Sequence, residues 1–408
     1  LAQARGAEIY TGVTVISVRK AADDSNYPWR LLVRRTDISR VEQARDEGPA
    51  TWEIAAAHVI LAAGALGSTE ILMRSRSNDL HFSEQLGARF STNGDGIAMG
   101  FAQQARVDPV GTDGQDAPAN IGPTISGILR TRLTANGRPT KQGGTPVTIE
   151  DGAIPGSLRH VFGEMLLTAA QFNRLGVSGL PAWLDAASSA AVRPDPLASS
   201  REALAHSQLL LIMGDDKAGG SLRLCGTGQG AGVAVRWKNA SRNPTLTAVD
   251  ASLAKQNLKT GFDGGQYVPN PGWRLLPAEA AEAMSGTLPG GSTISVHPLG
   301  GCASADDGVT GVVNDACQVF DGSGTEVHEG LYVMDGAVLP GALAVNPFLT
   351  ISVIAWRASG ILIRAKGWVA TPLEDARVGK LLSQPPRADV PFMGTGPVAL
   401  DFSELMRG

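Results

Sequence analysis

Two proline-anchored segments constrain this chain more than any other feature. They are Ser295-Val-His-Pro-Leu-Gly-Gly301 and Val345-Asn-Pro-Phe-Leu-Thr-Ile351. Pro298 biases His297 toward extended backbone. Gly300 and Gly301 let another backbone or a ligand come close. In the second segment Asn346 reads as a helix N-cap and Pro347 as the first helical residue. An apolar run follows, so the segment predicts the capped start of a buried helix. The partial positive charge of such a helix end stabilises negative charge nearby.

The rest of the chain reads as a mixed fold. Its 408 residues suit about two domains of roughly 100–200 residues each. The β-branched stretch 8–18, Trp29–Arg34 and Ala50–Ile54 predict strands of a small antiparallel ribbon. Residues 56–63 are largely apolar and predict a strand buried on both faces. Gly64-Ala-Leu-Gly67 then turns the chain, and Ser68 is placed to cap a helix running to Arg74. From residue 91 to 291 Gly, Pro, Thr and short alternating segments dominate. Leu209–Met213, Gly219–Leu224 and Val233–Trp237 read as strands there, and Pro181–Ala191 and Ala278–Ser285 as helices. Leu331–Met334 predicts a further strand, and a long helix follows from Asn346 to about Ala365. The tail from Trp368 has no clear periodicity.

Charge and cysteine usage exclude several classes. The net charge of −4 is spread along the chain, unlike the basic patch of a nucleic-acid binder. Cys225, Cys302 and Cys317 form no C-x-x-C and no even disulfide set. The six His are scattered, with no ligand-spaced pair. No run reaches the ~20 apolar residues that span a bilayer. The compartment is left open.

The His297 and Asn346 segments resemble those of the glucose-methanol-choline (GMC) flavin oxidoreductases, in wording close to the cholesterol-oxidase-like branch. Further matches follow in the family's order: Val59–Leu72, Ile149–Pro155 and Leu331–Ala337. The resemblance implies a fold of α/β and α+β type. A discontinuous FAD-binding domain (1–90 and 292–367) joins a substrate domain (91–291) whose mostly antiparallel sheet is covered by helices, and 368–408 is a tail or the start of a further segment. No G-x-G-x-x-G turn precedes the first matching segment, although flavin and nicotinamide folds usually open with one. The expectation is therefore a fragment without its N-terminal FAD-binding unit, or one whose unit is a separate chain. Such a piece would hold FAD weakly.

By the same resemblance, His297 and Asn346 handle the substrate hydroxyl and Glu150 takes a proton from a steroid ring. The plain alternatives are a structural His in a Pro-Gly turn, a simple helix cap and an exposed loop carboxylate. Val15, Ala63, Gly64, Asp335, Gly336, Asn346, Pro347 and Phe348 are implied to contact FAD. Against this stand ordinary core packing for Val15 and a strand-ending turn for Asp335-Gly336. No metal is implied. Cys302 has no assigned base and reads as structural, and Asp215-Asp216 as a solvated turn. The implied activity is oxidation of a sterol-like or other bulky apolar alcohol, with O2 or another carrier accepting the electrons. A remnant without catalysis, or one subunit of a split enzyme, is the alternative of a different class.

Overall fold

The computed structural model describes residues 6–21, 24–36, 51–101, 127–154, 204–226, 231–238, 245–253, 266–269 and 295–369, with 106–109, 125, 156–158, 163 and 240 beside them. The expected ribbon is present. Strand β1 (Val13–Lys20) pairs antiparallel with β2 (Trp29–Arg35), and β2 with β3 (Thr51–Ala56). Ile16, Val18, Trp29 and Val33 are buried. The β1 register slips between Val15 and Ser17, which marks a bulge.

The run after the ribbon differs from its sequence reading. β3 ends at Ala56, and strand β4 covers only Val59–Leu61. Val59 and Leu61 face the core while Ile60 is exposed, so the strand is half-buried, with period 2. Helix α1 runs Gly64–Ser75 with Ala63 as its N-cap, five residues ahead of the expected cap. Ser68 lies inside it rather than at its cap: the Ser68 hydroxyl accepts from the Ala63 N–H at 3.0 Å.

Strands β5 (Gly96–Phe101), β6 (Ile128–Leu133), β7 (Thr145–Gly152) and β8 (Gln208–Gly214) belong to one antiparallel sheet. Strands β9 (Ser221–Cys225) and β10 (Gly232–Arg236) form a separate antiparallel pair. Strand β11 (Gln266–Pro269) completes the larger sheet, in the order β11-β5-β8-β7-β6. Ala98, Val147, Ile149, Leu210 and Ile212 pack with Leu246 and Val249, which lie in the helical stretch 245–253. The expected helices at Pro181–Ala191 and Ala278–Ser285 lie outside the described residues, as does the tail beyond residue 369.

Strand β12 (Gln318–Phe320) pairs antiparallel with β13 (Val327–Val333), and β13 runs parallel to β4. These strands, β1, β2, α1 and the last helix share one apolar core, from Val18 and Leu72 to Val333 and Leu362. That core is drawn from two segments far apart in sequence.

Helix α2 spans Phe348–Ala365 and corrects three expectations. Its N-cap is Pro347, with no side-chain cap hydrogen bond, so Asn346 does not cap it. Only Ala358 and Leu362 are buried in it, while Phe348, Leu349, Val353 and Trp356 are exposed. A uniformly apolar helix reads as buried in sequence, but burial depends on what packs around it. At 18 residues α2 is also long and apolar enough to cross a membrane, by length and composition alone.

Candidate active site

The His297 segment is held by backbone. Leu299 and Ser91 exchange N–H···O bonds of 2.9 Å, and the Gly300 N–H donates to the Gly336 carbonyl at 3.0 Å. Gly300 has a φ of 80°, and a Cβ there would overlap the Arg89 carbonyl oxygen. The glycine pair thus admits neighbouring backbone, as its sequence implies.

Asp95, just before β5, organises the residues ahead of Pro298. Its Oδ2 accepts from the Val296 N–H at 2.8 Å, the His297 N–H at 3.0 Å and the Ser295 hydroxyl at 3.1 Å. Its Oδ1 lies 3.0 Å from His297 Nδ1. Asp95 is buried, whereas the His297 side chain keeps 22% of its surface exposed.

Glu150 sits on β7, not in a loop, and is 2% exposed. Alternate residues of a strand share a face, so Thr148 and Glu150 point the same way. The Thr148 hydroxyl donates to the Ala344 carbonyl at 2.6 Å. Two residues along, Glu150 Oε1 accepts from Asn346 Nδ2 at 2.7 Å. Asn93 fixes the same loop from the other side. Its Oδ1 accepts from the Leu343 and Ala344 N–H groups at 2.8 and 3.0 Å, and its Nδ2 donates to the Val345 carbonyl at 2.8 Å.

His297, Asn346, Glu150 and Asp95 line a single cavity of about 150 Å³, whose apolar wall includes Ile97, Leu211, Met213 and Val296. The structure therefore brings together the three residues singled out as catalytic. An imidazole, an amide and a carboxylate beside apolar walls can accept a proton, orient a hydroxyl and exclude water.

Of the residues implied to contact a cofactor, only Asn346 lines that cavity. Val15 is half-buried against the main core at the β1 bulge. Ala63 and Gly64 are exposed beyond the C-terminal end of β4. The Gly64 N–H is committed to Asp335 Oδ2 at 2.9 Å, an oxygen that also accepts from the Ser68 hydroxyl. Asp335 Oδ1 accepts from the Ala337 N–H at 2.8 Å. Asp335 is thus a buried clasp between two strand ends, and Gly336 lies directly against the His297 segment through its bond to Gly300. Pro347 is buried and Phe348 exposed.

The acidic pair also differs from its sequence reading. Asp215 is a surface turn residue paired with Lys217, but Asp216 is buried. Asp216 accepts from the Ser91 hydroxyl, the Thr92 N–H and hydroxyl, the Gly94 N–H and the Ala218 N–H. Sequence reasoning missed Asn93, Asp95 and this use of Asp216. Asn93-Gly-Asp-Gly96 carries turn chemistry, but nothing local points to partners around two hundred residues away.

Cys302 is buried beside Thr69, with Thr69 Oγ1 3.4 Å from its Sγ. Burial pushes its thiol up to about 12, the Thr69 hydroxyl opposing in part, which suits an inert structural role. Among the described residues no group of three or more His, Cys, Asp and Glu side chains is placed to hold a metal.

Residues 241–355 match the family model for GMC oxidoreductase. Over 64 residues it is 42% identical to a cholesterol oxidase of Acinetobacter baumannii, a stretch amounting to 16% of this chain and 10% of that protein. Among solved structures it is similar to a pyridoxine 4-oxidase from Mesorbium loti, at 17% identity and a TM-score of 0.48 over 85% of this chain and 57% of that one. It is also similar to a formate oxidase, at 13% identity and a TM-score of 0.48 over 86% and 60%. The chain spans under two thirds of the length of these relatives.

Proposed function

We propose that this chain supplies the substrate-handling residues of an FAD-dependent enzyme that oxidises a CH–OH donor of the sterol-like or bulky apolar class. The observation that carries this reading is the convergence of His297, Asn346 and Glu150 on one apolar-walled cavity. The imidazole of His297 accepts the hydroxyl proton. Asn346 spends one amide N–H on Glu150, leaving its carbonyl and second N–H to orient the hydroxyl. Ile97, Leu211 and Met213 exclude water. The cavity is smaller than the roughly 300–1,000 Å³ of drug-sized sites, so it takes the hydroxyl-bearing end of a larger alcohol. The sterol class is supported by the stretch shared with a protein described as a cholesterol oxidase.

The residues present fit FAD in one testable respect. The first turn of α2 has no acidic residue and no side-chain cap, so its N–H groups are open to negative charge. Val15, Ala63, Gly64, Asp335, Gly336, Asn346, Pro347 and Phe348 would hold the cofactor. When bound, FAD accepts the hydride from the carbinol carbon.

The test is an anaerobic screen of the complete protein for bleaching of flavin absorbance by sterols, aliphatic alcohols and sugars, followed by admission of air. A sterol should bleach it, and His297→Ala should slow bleaching by a factor on the order of 10²–10⁴. Recovery of colour in air identifies O2 as the acceptor, and recovery only with an added dye identifies a carrier. Bleaching by no alcohol would sink the reading in favour of a non-catalytic remnant.

A further inference from the structure

We infer that Asp95 is the positioning residue that sets the tautomer of His297, an inference that deepens the alcohol-oxidising reading and rests on it for its functional meaning. An ionised carboxylate only accepts hydrogen bonds. Asp95 Oδ1 lies 3.0 Å from His297 Nδ1, so that contact is a hydrogen bond only when Nδ1 carries the proton. In the neutral ring Nε2 is then left with its lone pair. A ring in this state lining the cavity is a proton acceptor and not a donor. The other carboxylate oxygen is not free to rotate into this role. Oδ2 is fixed by the Val296 and His297 N–H groups and the Ser295 hydroxyl. Asp95 is itself buried at the start of β5 and lines the same cavity.

The same geometry defines what Asp95→Asn does. Three donors hold the Oδ2 position, so the asparagine places its oxygen there. Its NH2 then faces His297 Nδ1 and donates to it. Nδ1 becomes the acceptor and the ring proton moves to Nε2. The shape of the site is kept and the tautomer reversed, which in a related hydrolase arrangement removes most of the rate.

The experiment is two-bond 15N–1H correlation spectroscopy on the protein labelled with 15N-histidine, with His297 assigned from the signals lost in His297→Gln. In wild type, His297 Nδ1 should give the protonated nitrogen signal and Nε2 the unprotonated one. In Asp95→Asn the two should exchange, and the rate of flavin bleaching in the complete protein should fall by a factor on the order of 10²–10⁴. Wild-type His297 with its proton on Nε2 overturns the inference without recourse to any variant. An unchanged tautomer in a folded Asp95→Asn also overturns it and leaves Asp95 as a backbone anchor only. The expected tautomers in a protein that oxidises no alcohol would uphold Asp95 and reject the functional reading.

Discussion

Asn346 donates its side-chain amide to Glu150 Oε1 across 2.7 Å, linking an exposed residue of the loop before α2 to a buried carboxylate on β7. This bond, and not a helix cap, is what the Asn346 side chain contributes to the fold. Hydrogen bonds to charged groups contribute about 1.5–3 kcal/mol, and a buried acceptor left without its partner carries the full desolvation cost.

Asn346→Ala should therefore lower stability by about 1–3 kcal/mol. Asn346→Ser should lower it as much, because there is no cap for the hydroxyl to restore and it falls short of Glu150. Urea unfolding of the three proteins makes the comparison. Wild-type stability in the serine variant would mean that position 346 acts as a cap after all.

Glu150→Gln keeps the shape of the side chain and an oxygen for Asn346 but removes the basicity. If the substrate is a 3-hydroxy-5-ene steroid, we predict that this variant still bleaches flavin yet releases the unconjugated ketone. Chromatography of conjugated enone against total ketone reads the outcome. Equal isomerisation by the variant would take Glu150 out of the proton transfer.

The three thiols should differ sharply in reactivity. Cys225 is exposed, while Cys302 and Cys317 are buried, and burial raises the latter two to about 12 and about 11. Thiolate is the reactive form. At pH 8 the native protein should label quickly at Cys225 alone, with Cys302 and Cys317 reacting only after denaturation. Rapid native labelling of Cys302, mapped by mass spectrometry, would contradict its packing.

His328 should make stability depend on pH. It is 1% exposed, its Nε2 lies 2.6 Å from the His81 carbonyl, and Nδ1 is 3.6 Å from Asp321, beyond hydrogen-bond reach. Burial lowers its pKa, the His81 carbonyl and Asp321 opposing. The unfolded chain thus binds this proton more readily. Its contribution is complete above the unfolded value of about 6.5 and is lost as the pH falls below it toward the depressed folded value. His328→Gln keeps a donor for His81 without titrating. Its urea midpoint should fall less than that of wild type between pH 7.5 and pH 5.5. Parallel shifts would place the pH dependence elsewhere.

Local pattern carried the ribbon and the long strands, because β-branched runs between turn residues have few alternatives. It misplaced what depends on partners. Glu150 was expected in a loop by resemblance, yet it lies on β7, which is clamped between β6 and β8. Asp216 reads as solvated because acidic pairs usually are, yet donors around residue 92 bury it. The site was legible through His297 and Asn346, which stand in motifs. Asn93 and Asp95 were not, since their roles exist only after the chain returns from more than two hundred positions away.

The four residues Thr92–Asp95 hold both halves of the polar site. Asn93 grips the Asn346 loop, Asp95 grips His297, and Asp216 anchors the turn between them. Selection can therefore act on this cavity unevenly. The walls contributed by Ile97, Leu211 and Met213 are free to change the shape of the cavity one residue at a time. The turn is not, because a change at Asn93 frees the loop that carries the amide and a change at Asp95 frees the imidazole.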